Sequence, residues 1–289
     1  MILEEAIEEV RKVIDKELKE LLKGKVGYQD KIFESIDYSL FTGGKRIRPI
    51  LLLKGCEVFS GDYQQAIPFA LAIEMIHTYS LIHDDLPSMD DDDFRRGKLT
   101  NHKVFGEAIA ILTGDGLLNL AFETMISYTL ESSNSTEEYN RNIRAMDEIG
   151  RYSGIHGMIG GQVVDLLSND IFMDEDKLLF MYKCKTAALI QASLVAGSIL
   201  GGGTYEQIEN MGRFGLYLGL AYQIRDDILD WKEDKKINKI TYLRYNNISE
   251  AKTKVDELSK KAIEILSLYE GKDMEFFKKL TKNLTHRKI

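Results

Sequence analysis

An all-α fold is predicted by three features of this 289-residue chain. Its only prolines are Pro49, Pro68 and Pro87, so about two hundred residues follow without an interior helix breaker. Apolar residues recur at i, i+3 and i+4 through long segments, the stripe of an amphipathic helix. Runs alternating strictly between apolar and polar residues, the mark of half-buried strands, are absent. One domain over residues 1–289 is expected, a bundle of about ten mostly long antiparallel helices around a central cavity.

The first stripe is Ile2, Leu3, Ala6, Ile7, Val10, Val13, Ile14 and Leu18. Comparable patterns predict helices over 62–83, 103–130, 138–167, 174–200, 204–230, 248–268 and 273–284. Turn chemistry separates them at Gly43-Gly44, Gly61-Asp62, Ser132-Ser133-Asn134-Ser135, Ser168-Asn169-Asp170, Gly201-Gly202-Gly203 and Gly271.

Composition excludes several classes. Apolar residues make up 44% and charged residues 29%, too apolar for a disordered chain. Lysine plus arginine is 38 against 46 aspartate plus glutamate, a net charge of −8. An acidic chain is ill-suited to displacing counterions from nucleic acid, so no nucleic-acid partner is expected. Two cysteines, Cys56 and Cys184, exclude a disulfide scaffold and suit a reducing compartment. The N-terminus lacks the basic and continuous apolar regions of a secretory signal. The uncharged stretch 186–205 carries Gln191, two serines, two threonines and the glycine triplet 201–203, and reads as a buried core helix rather than a membrane span. A cytoplasmic protein without stable membrane insertion is expected.

Two acidic clusters stand out, each at the C-terminal end of an apolar helical run. In the first, six of the ten residues 84–93 are aspartate. A helix C-terminus carries partial negative charge and disfavours anions, so aspartates crowded there imply a purpose other than solubility. Asp84 and Asp90 would lie about 120° apart on an unbroken helix, but Pro87 between them makes a break that could reunite them. In the second cluster, Asp226 and Asp230 are i, i+4 and share one helix face. Carboxylates in that arrangement suit Mg²⁺, which takes one or two of them together with substrate phosphates. A solvated acidic surface is the alternative, weighed evenly for the second cluster and less for the first.

Cations complement the carboxylates. Gly43-Gly44-Lys45-Arg46-Ile47-Arg48 is a turn followed by three cations in four residues, and Arg95-Arg96 follow the first acidic run. Arginine forks match phosphate oxygens. Read singly, each basic group would be surface charge; beside two acidic clusters they point to a site for a polyphosphate.

These residues resemble a known family. GGKRIRP (43–49), IHTYSLIHDDLPSMDDDDFRRG (76–97), FGEAIAILTGDGLL (105–118), GGQVVDL (160–166), KTAALI (185–190) and YQIRDDILD (222–230) are similar to the motifs of short-chain trans-polyprenyl diphosphate synthases of the bacterial farnesyl diphosphate synthase, or geranyltranstransferase, type. The spacing from Asp84 to Asp90 is the DDxxxxD form of the bacterial enzymes, and the resemblance runs from about residue 38 to the C-terminus. It implies an isoprenoid synthase fold and Mg²⁺-dependent condensation of isopentenyl diphosphate with an allylic diphosphate. Asp84, Asp90 and Asp226 would bind Mg²⁺, three ions with both substrates present, with Asp85, Asp227 and Asp230 in support. Arg95, Lys185 and the loop after Asp230 would hold the allylic diphosphate. Lys45, Arg48, His77 and Arg96 would hold isopentenyl diphosphate. Thr186 and Gln223 would present oxygens to the developing cation, and Tyr79 with Ser80 would set product length. The resemblance also implies a homodimer. Tyr182, Met181 and Phe180 read as helical core, and Thr285-His286-Arg287 loosely resembles the family's terminal arginine region.

The chain departs from the family after Asp230. A glycine- and lysine-containing loop is shortened by roughly ten residues, judged against the family pattern as loop lengths are. Leu243 stands where the pattern has proline, and Lys239 can replace only one of two lysines. Farnesyl diphosphate is the expected product, made from dimethylallyl or geranyl diphosphate. Alternatives are a C10 or C20 synthase and a weakly active regulatory subunit. A terpene cyclase fits less well, because two Asp motifs with GGKRIRP suit elongation.

Overall fold

The computed structural model describes the chain except residues 1–2, 25–26, 170, 237–238, 270–273 and 288–289. The described residues form thirteen α-helices: α1 (Leu3–Leu22), α2 (Asp30–Leu40), α3 (Ile47–Ser60), α4 (Ile67–Asp84), α5 (Asn101–Phe105), α6 (Glu107–Ser132), α7 (Thr136–Ser153), α8 (Met158–Leu166), α9 (Glu175–Tyr182), α10 (Ala188–Leu200), α11 (Tyr205–Lys236), α12 (Ile248–Leu266) and α13 (Glu275–Thr285). This is the all-α bundle that the periodicity predicts.

At its centre lies α10, every residue of which is buried. It packs against α3, α7 and α11. Within the apolar stretch 186–205, the part that forms α10 is thus core, as its embedded Gln191 and serines imply, while Thr204 and Tyr205 beyond it are exposed. The principal core draws Val10, Ile14 and Leu18 from α1, Leu40 from α2, Ile50 and Leu53 from α3, and Phe69, Ile73 and Ile76 from α4. Burying a side chain of this size contributes ~1.5–3 kcal/mol, which holds the helices against their entropy cost.

Several boundaries differ from the periodicity. The stretch expected as one helix over 103–130 is divided at Gly106 between α5 and α6. The stretch expected as one helix over 138–167 is two, because the chain turns between Gly154 and Gly157. The Gly157 N–H donates to the Gly154 carbonyl at 3.0 Å, and a Cβ at Gly157 would collide with the Tyr152 carbonyl. The stretch 174–200 is interrupted by a π-turn at Lys183–Ala187. Helix α11 continues to Lys236, so the second acidic cluster lies inside a helix rather than at its end.

A two-stranded hairpin, β1 (Phe94–Arg95) and β2 (Lys98–Leu99), also departs from an all-helical chain. Its turn places Arg96 and Gly97 at φ 54° and 77°, the left-handed pair of a type I′ two-residue hairpin.

Helices α6 and the continuous run Glu175–Leu200 are both long and apolar enough to cross a membrane by length and hydropathy. The second is mostly buried inside the protein. Helix α6 instead exposes Ile111, Leu112, Ile126 and Leu130. Asp115, Asn119 and Glu123 are exposed among them.

Candidate active site

Helix α4 supplies the first carboxylate wall. It ends at Asp84, where Asp85 caps it and Pro87 prevents continuation. The following turn doubles back, and the Asp90 N–H donates to the Asp84 carbonyl at 2.9 Å. The break therefore reunites at the backbone two residues that an unbroken helix would separate. Burial raises Asp84 to about 6; Lys185 opposes the rise and Asp90 adds to it.

Asp85 points inward. Only 3% exposed, it accepts Arg95 Nε at 2.6 Å. Asp92 takes a longer contact from the same guanidinium, at 3.4 Å. Asp85 thus anchors Arg95 and the hairpin behind the wall, and its carboxylate is not an open metal position.

Opposite, α11 carries Asp226 and Asp230. Asp226 is half-buried and ion-paired with Arg287, whose guanidinium lies 4.5 Å from the Tyr222 ring centroid. Asp230 is exposed. Asp227 turns the other way and is 4% exposed. Its carboxylate accepts the Tyr182 hydroxyl, the Tyr242 N–H at 2.9 Å and the Gln223 amide at 3.2 Å. Filled by protein donors, this carboxylate is a support held by hydrogen bonds rather than an open ligand position.

Between the walls sits the π-turn. One extra residue in this turn of helix presents Lys185 and Thr186 together. Gly161 of α8 packs so closely on it that a Cβ there would strike the Cys184–Lys185 backbone. Lys185 Nζ lies 2.5 Å from Asp165 and 3.7 Å from Asp84. Burial lowers the Lys185 pKa, but Asp84 and Asp165 outweigh it and the net shift is upward. Thr186 donates its hydroxyl to Gln223 Oε1 at 2.8 Å.

The cations converge next door. A cavity of about 730 Å³ is lined by Lys45, Arg48, His77, Arg96, Thr186, Gln223 and Asp226, among others. Arg48 Nη1 lies 3.3 Å from His77 Nε2, while Arg48 Nε is buried without a partner. Burial, then Arg48 and Arg96, push His77 well below its usual pKa, so it is neutral here. Arg96 donates to the Gly43 carbonyl and lies against Gly44, where a Cβ would meet its guanidinium. Lys45 is exposed at the rim. Several cations with few carboxylates among them form a site for a multiply charged anion.

Arg46 is the exception in its motif. At φ 51° it caps α3 and is 4% exposed. It reaches Asp15 at 2.9 Å and Glu74 at 2.6 Å. This buried pair fixes the turn from which Lys45 and Arg48 project.

Product-length candidates lie beneath. Tyr79 is 6% exposed and makes an edge contact with His83, ring centroids 5.8 Å apart. Burial and nearby Asp84 raise it to about 12. Ser80 donates its hydroxyl to the His77 carbonyl at 2.9 Å, bonding within its own helix. Lys239 is removed from the cationic cavity: exposed, it lies 3.9 Å from Asp234 and borders a second cavity with Trp231 and Arg244.

Two residues at the site escaped the sequence reading, Asp165 and Gln162, while Arg287 enters it only as part of a loose terminal resemblance. The first two lie within GGQVVDL, and Gln162 Nε2 is buried without a partner. Among the described residues no group of three or more His, Cys, Asp or Glu side chains is placed to hold a metal ion by itself. Hard carboxylates on two walls open to phosphate oxygens, with Asp84 raised by burial and further by Asp90, nonetheless have the donor chemistry that Mg²⁺ uses.

The Polyprenyl synthetase family profile matches residues 29–275. A heterodimeric geranylgeranyl pyrophosphate synthase large subunit from Arabidopsis thaliana is 43% identical over 246 residues, covering 80% of this chain and 66% of the relative. A dimethylallyltranstransferase from Fischerella ambigua is 42% identical over 258 residues, covering 85% and 73%. The crystal structure of an FPP/GFPP synthase from Zymomonas mobilis superposes with a TM-score of 0.89 at 32% identity, covering 98% of each chain. The chain therefore belongs to the polyprenyl synthetase family, a family of trans-prenyltransferases.

Proposed function

We propose that this chain condenses isopentenyl diphosphate with dimethylallyl or geranyl diphosphate, releasing diphosphate and forming farnesyl diphosphate. The observation that carries the reading is the pairing of an acidic wall at Asp84 and Asp90 with the cationic cavity around Arg48, His77 and Arg96. Two diphosphates need two different hosts, one shared with metal and one held by protein cations.

Asp84, Asp90 and Asp226 would hold Mg²⁺, three ions with both substrates bound, which would supply Lewis-acid pull on the leaving diphosphate. Lys185 and Arg95 take up remaining charge on that group. Lys45, Arg48 and Arg96 fix the second diphosphate, and neutral His77 accompanies them without adding repulsion. Thr186 and Gln223 offer oxygens to the allylic cation as the C–O bond breaks. The C3–C4 double bond then attacks C1, and the departing diphosphate takes the proton. Each ~1.36 kcal/mol of stabilisation of the departing group is about tenfold in rate.

Tyr79, buried five residues before Asp84, supports the C15 product. A C20 product is the second reading, favoured by relatives named geranylgeranyl pyrophosphate synthases at 42–44% identity. We also propose a homodimer covering the apolar residues that α6 exposes, because the charged residues among them suit protein better than lipid. Mass spectrometry of products formed with Mg²⁺, isopentenyl diphosphate and each allylic starter tests the function. Farnesyl diphosphate as the end product supports it, geranylgeranyl diphosphate selects the second reading, and no condensation with any starter overturns both.

A further inference from the structure

Tyr182 ends α9 three residues before Lys185, and its ring belongs to the core around Ile224 and Ile228. Its hydroxyl has a separate task. It donates to Asp227, 45 residues onward on α11. The same carboxylate oxygen accepts the Tyr242 N–H at 2.9 Å, and that N–H also lies 3.1 Å from the Tyr182 hydroxyl oxygen. The segment after α11 is thus tied to the same carboxylate.

An ionised carboxylate can only accept hydrogen bonds. Gln223 must therefore turn its amide nitrogen to Asp227, at 3.2 Å, which points its carbonyl oxygen at Thr186. Thr186 has one hydroxyl proton, and at 2.8 Å it gives that proton to Gln223. What remains for the cavity is the pair of lone pairs on Thr186 Oγ1. If Gln223 turned over, its NH₂ would donate to Thr186 and the hydroxyl proton would be free to face the cavity. That would set a positive dipole end against a carbocation.

We propose that Tyr182 is a positioning residue for the prenyl-transfer chemistry: through Asp227 and Gln223 it orients the Thr186 hydroxyl with its lone pairs toward the allylic cation. The inference rests on the prenyl-transfer reading and deepens it. Removing the phenol hydroxyl leaves Asp227 with two donors instead of three and frees it to rotate, which loosens the Gln223 amide. Substrate binding, carried by Lys45, Arg48, Arg95 and the metal-binding aspartates, does not depend on this relay. The loss should therefore fall on kcat and spare KM.

The test is a double-mutant cycle of Tyr182→Phe with Thr186→Val, measured as steady-state kinetics with geranyl and isopentenyl diphosphates and Mg²⁺. Tyr182→Phe alone should lower kcat by about tenfold or more, with both KM values within about twofold. In the Thr186→Val background the same substitution should change kcat by less than about twofold, because the group it orients is gone. An equal factor in both backgrounds, or no loss in the single variant, overturns the relay. Asp227→Asn, which keeps the volume and allows Gln223 to turn, repeats the cycle should Tyr182→Phe fail to fold. A ligand-free neutron structure of the single variant, in which the amide oxygen and nitrogen of Gln223 are distinguishable, gives a readout independent of turnover. Gln223 turned over or displaced from Thr186 supports the relay, and Gln223 still accepting the Thr186 hydroxyl proton overturns it. Absence of condensation by the unmodified enzyme would instead remove the prenyl-transfer reading itself.

Discussion

The Lys185 ammonium lies 3.7 Å from a carboxylate oxygen of Asp84, yet Asp84 is raised to about 6. Burial therefore outweighs the cation, and Lys185 divides its charge with Asp165. Without metal the folded protein holds the Asp84 proton more tightly than the unfolded chain, whose ordinary value is 3.8. Native protein binds more protons between about pH 4 and 6, so this group's contribution to stability falls as pH rises through that window. In EDTA at pH 7.5, Asp84→Asn should be more stable than the parent by up to about 3 kcal/mol, at ~1.36 kcal/mol per pKa unit. The gain should vanish near pH 4. Denaturant melts at the two pH values check it; an equal effect at both would show that Asp84 is not strained by its charge.

Activity should move in the opposite direction. Asp84→Ala and Asp226→Ala each remove a carboxylate from one wall of the proposed metal site. Each should lower kcat by about 10²–10³-fold or more, the scale of losing a main electrostatic stabiliser of the departing group. Chelation should abolish turnover of the parent enzyme. Condensation at the normal rate in EDTA would sink the mechanism.

Lys239 offers a smaller effect. It is exposed and 3.9 Å from Asp234, but its charge reaches Asp90. Lys239→Ala should raise KM for the allylic substrate a few-fold, the scale of an exposed charge contact worth ~1 kcal/mol or less, and leave isopentenyl diphosphate unaffected. Identical constants for both substrates before and after would assign the role to another cation, such as Lys235 or Lys236.

The exposed apolar residues of α6 make a prediction about assembly. Leu112→Glu and Leu130→Glu each put a charge among Ile111 and Ile126. The parent should sediment as a dimer and the paired variant as a monomer at micromolar concentration. A parent that is monomeric throughout would remove the homodimer.

Much of this site was legible in the sequence because its chemistry is local. The i, i+4 spacing of Asp226 and Asp230, and the Pro87 break before Asp90, are properties of neighbours along the chain. Roles set by distant partners were hidden. Composition cannot distinguish Arg46 from Arg48; only Asp15 and Glu74, on other helices, make the first a buried strut. Asp227 reads like Asp226 until Tyr182 and Tyr242 are seen around it. The break between α7 and α8 did leave a local signal at Gly154 and Gly157, but apolar periodicity running through both sides masked it. Asp165 reads only as part of a motif, with no role of its own, since its partner Lys185 sits twenty residues on, inside a π-turn that no periodicity announces.

Product length is the most specific consequence of the fold. Tyr79 precedes Asp84 by five residues on α4, about 7.5 Å along the helix axis at ~1.5 Å per residue. An allylic diphosphate held at the Asp84 end would direct its hydrocarbon chain back along α4 toward that ring. Tyr79 is buried and braced by His83, whose ring nitrogen lies 3.0 Å from the Ile111 carbonyl on α6. The ring therefore cannot swing aside without disturbing a second helix. Ser80 is too small to add to the block and spends its hydroxyl within α4. Tyr79→Ala should open space for at least one more isoprene unit, shifting the longest product from C15 to C20 or beyond, while kcat for the first condensation survives. Radio-labelled product chromatography with isopentenyl diphosphate in excess reads this directly. An active variant whose longest product is unchanged would show that the chain does not end at Tyr79, and the C15 assignment would lose its structural support.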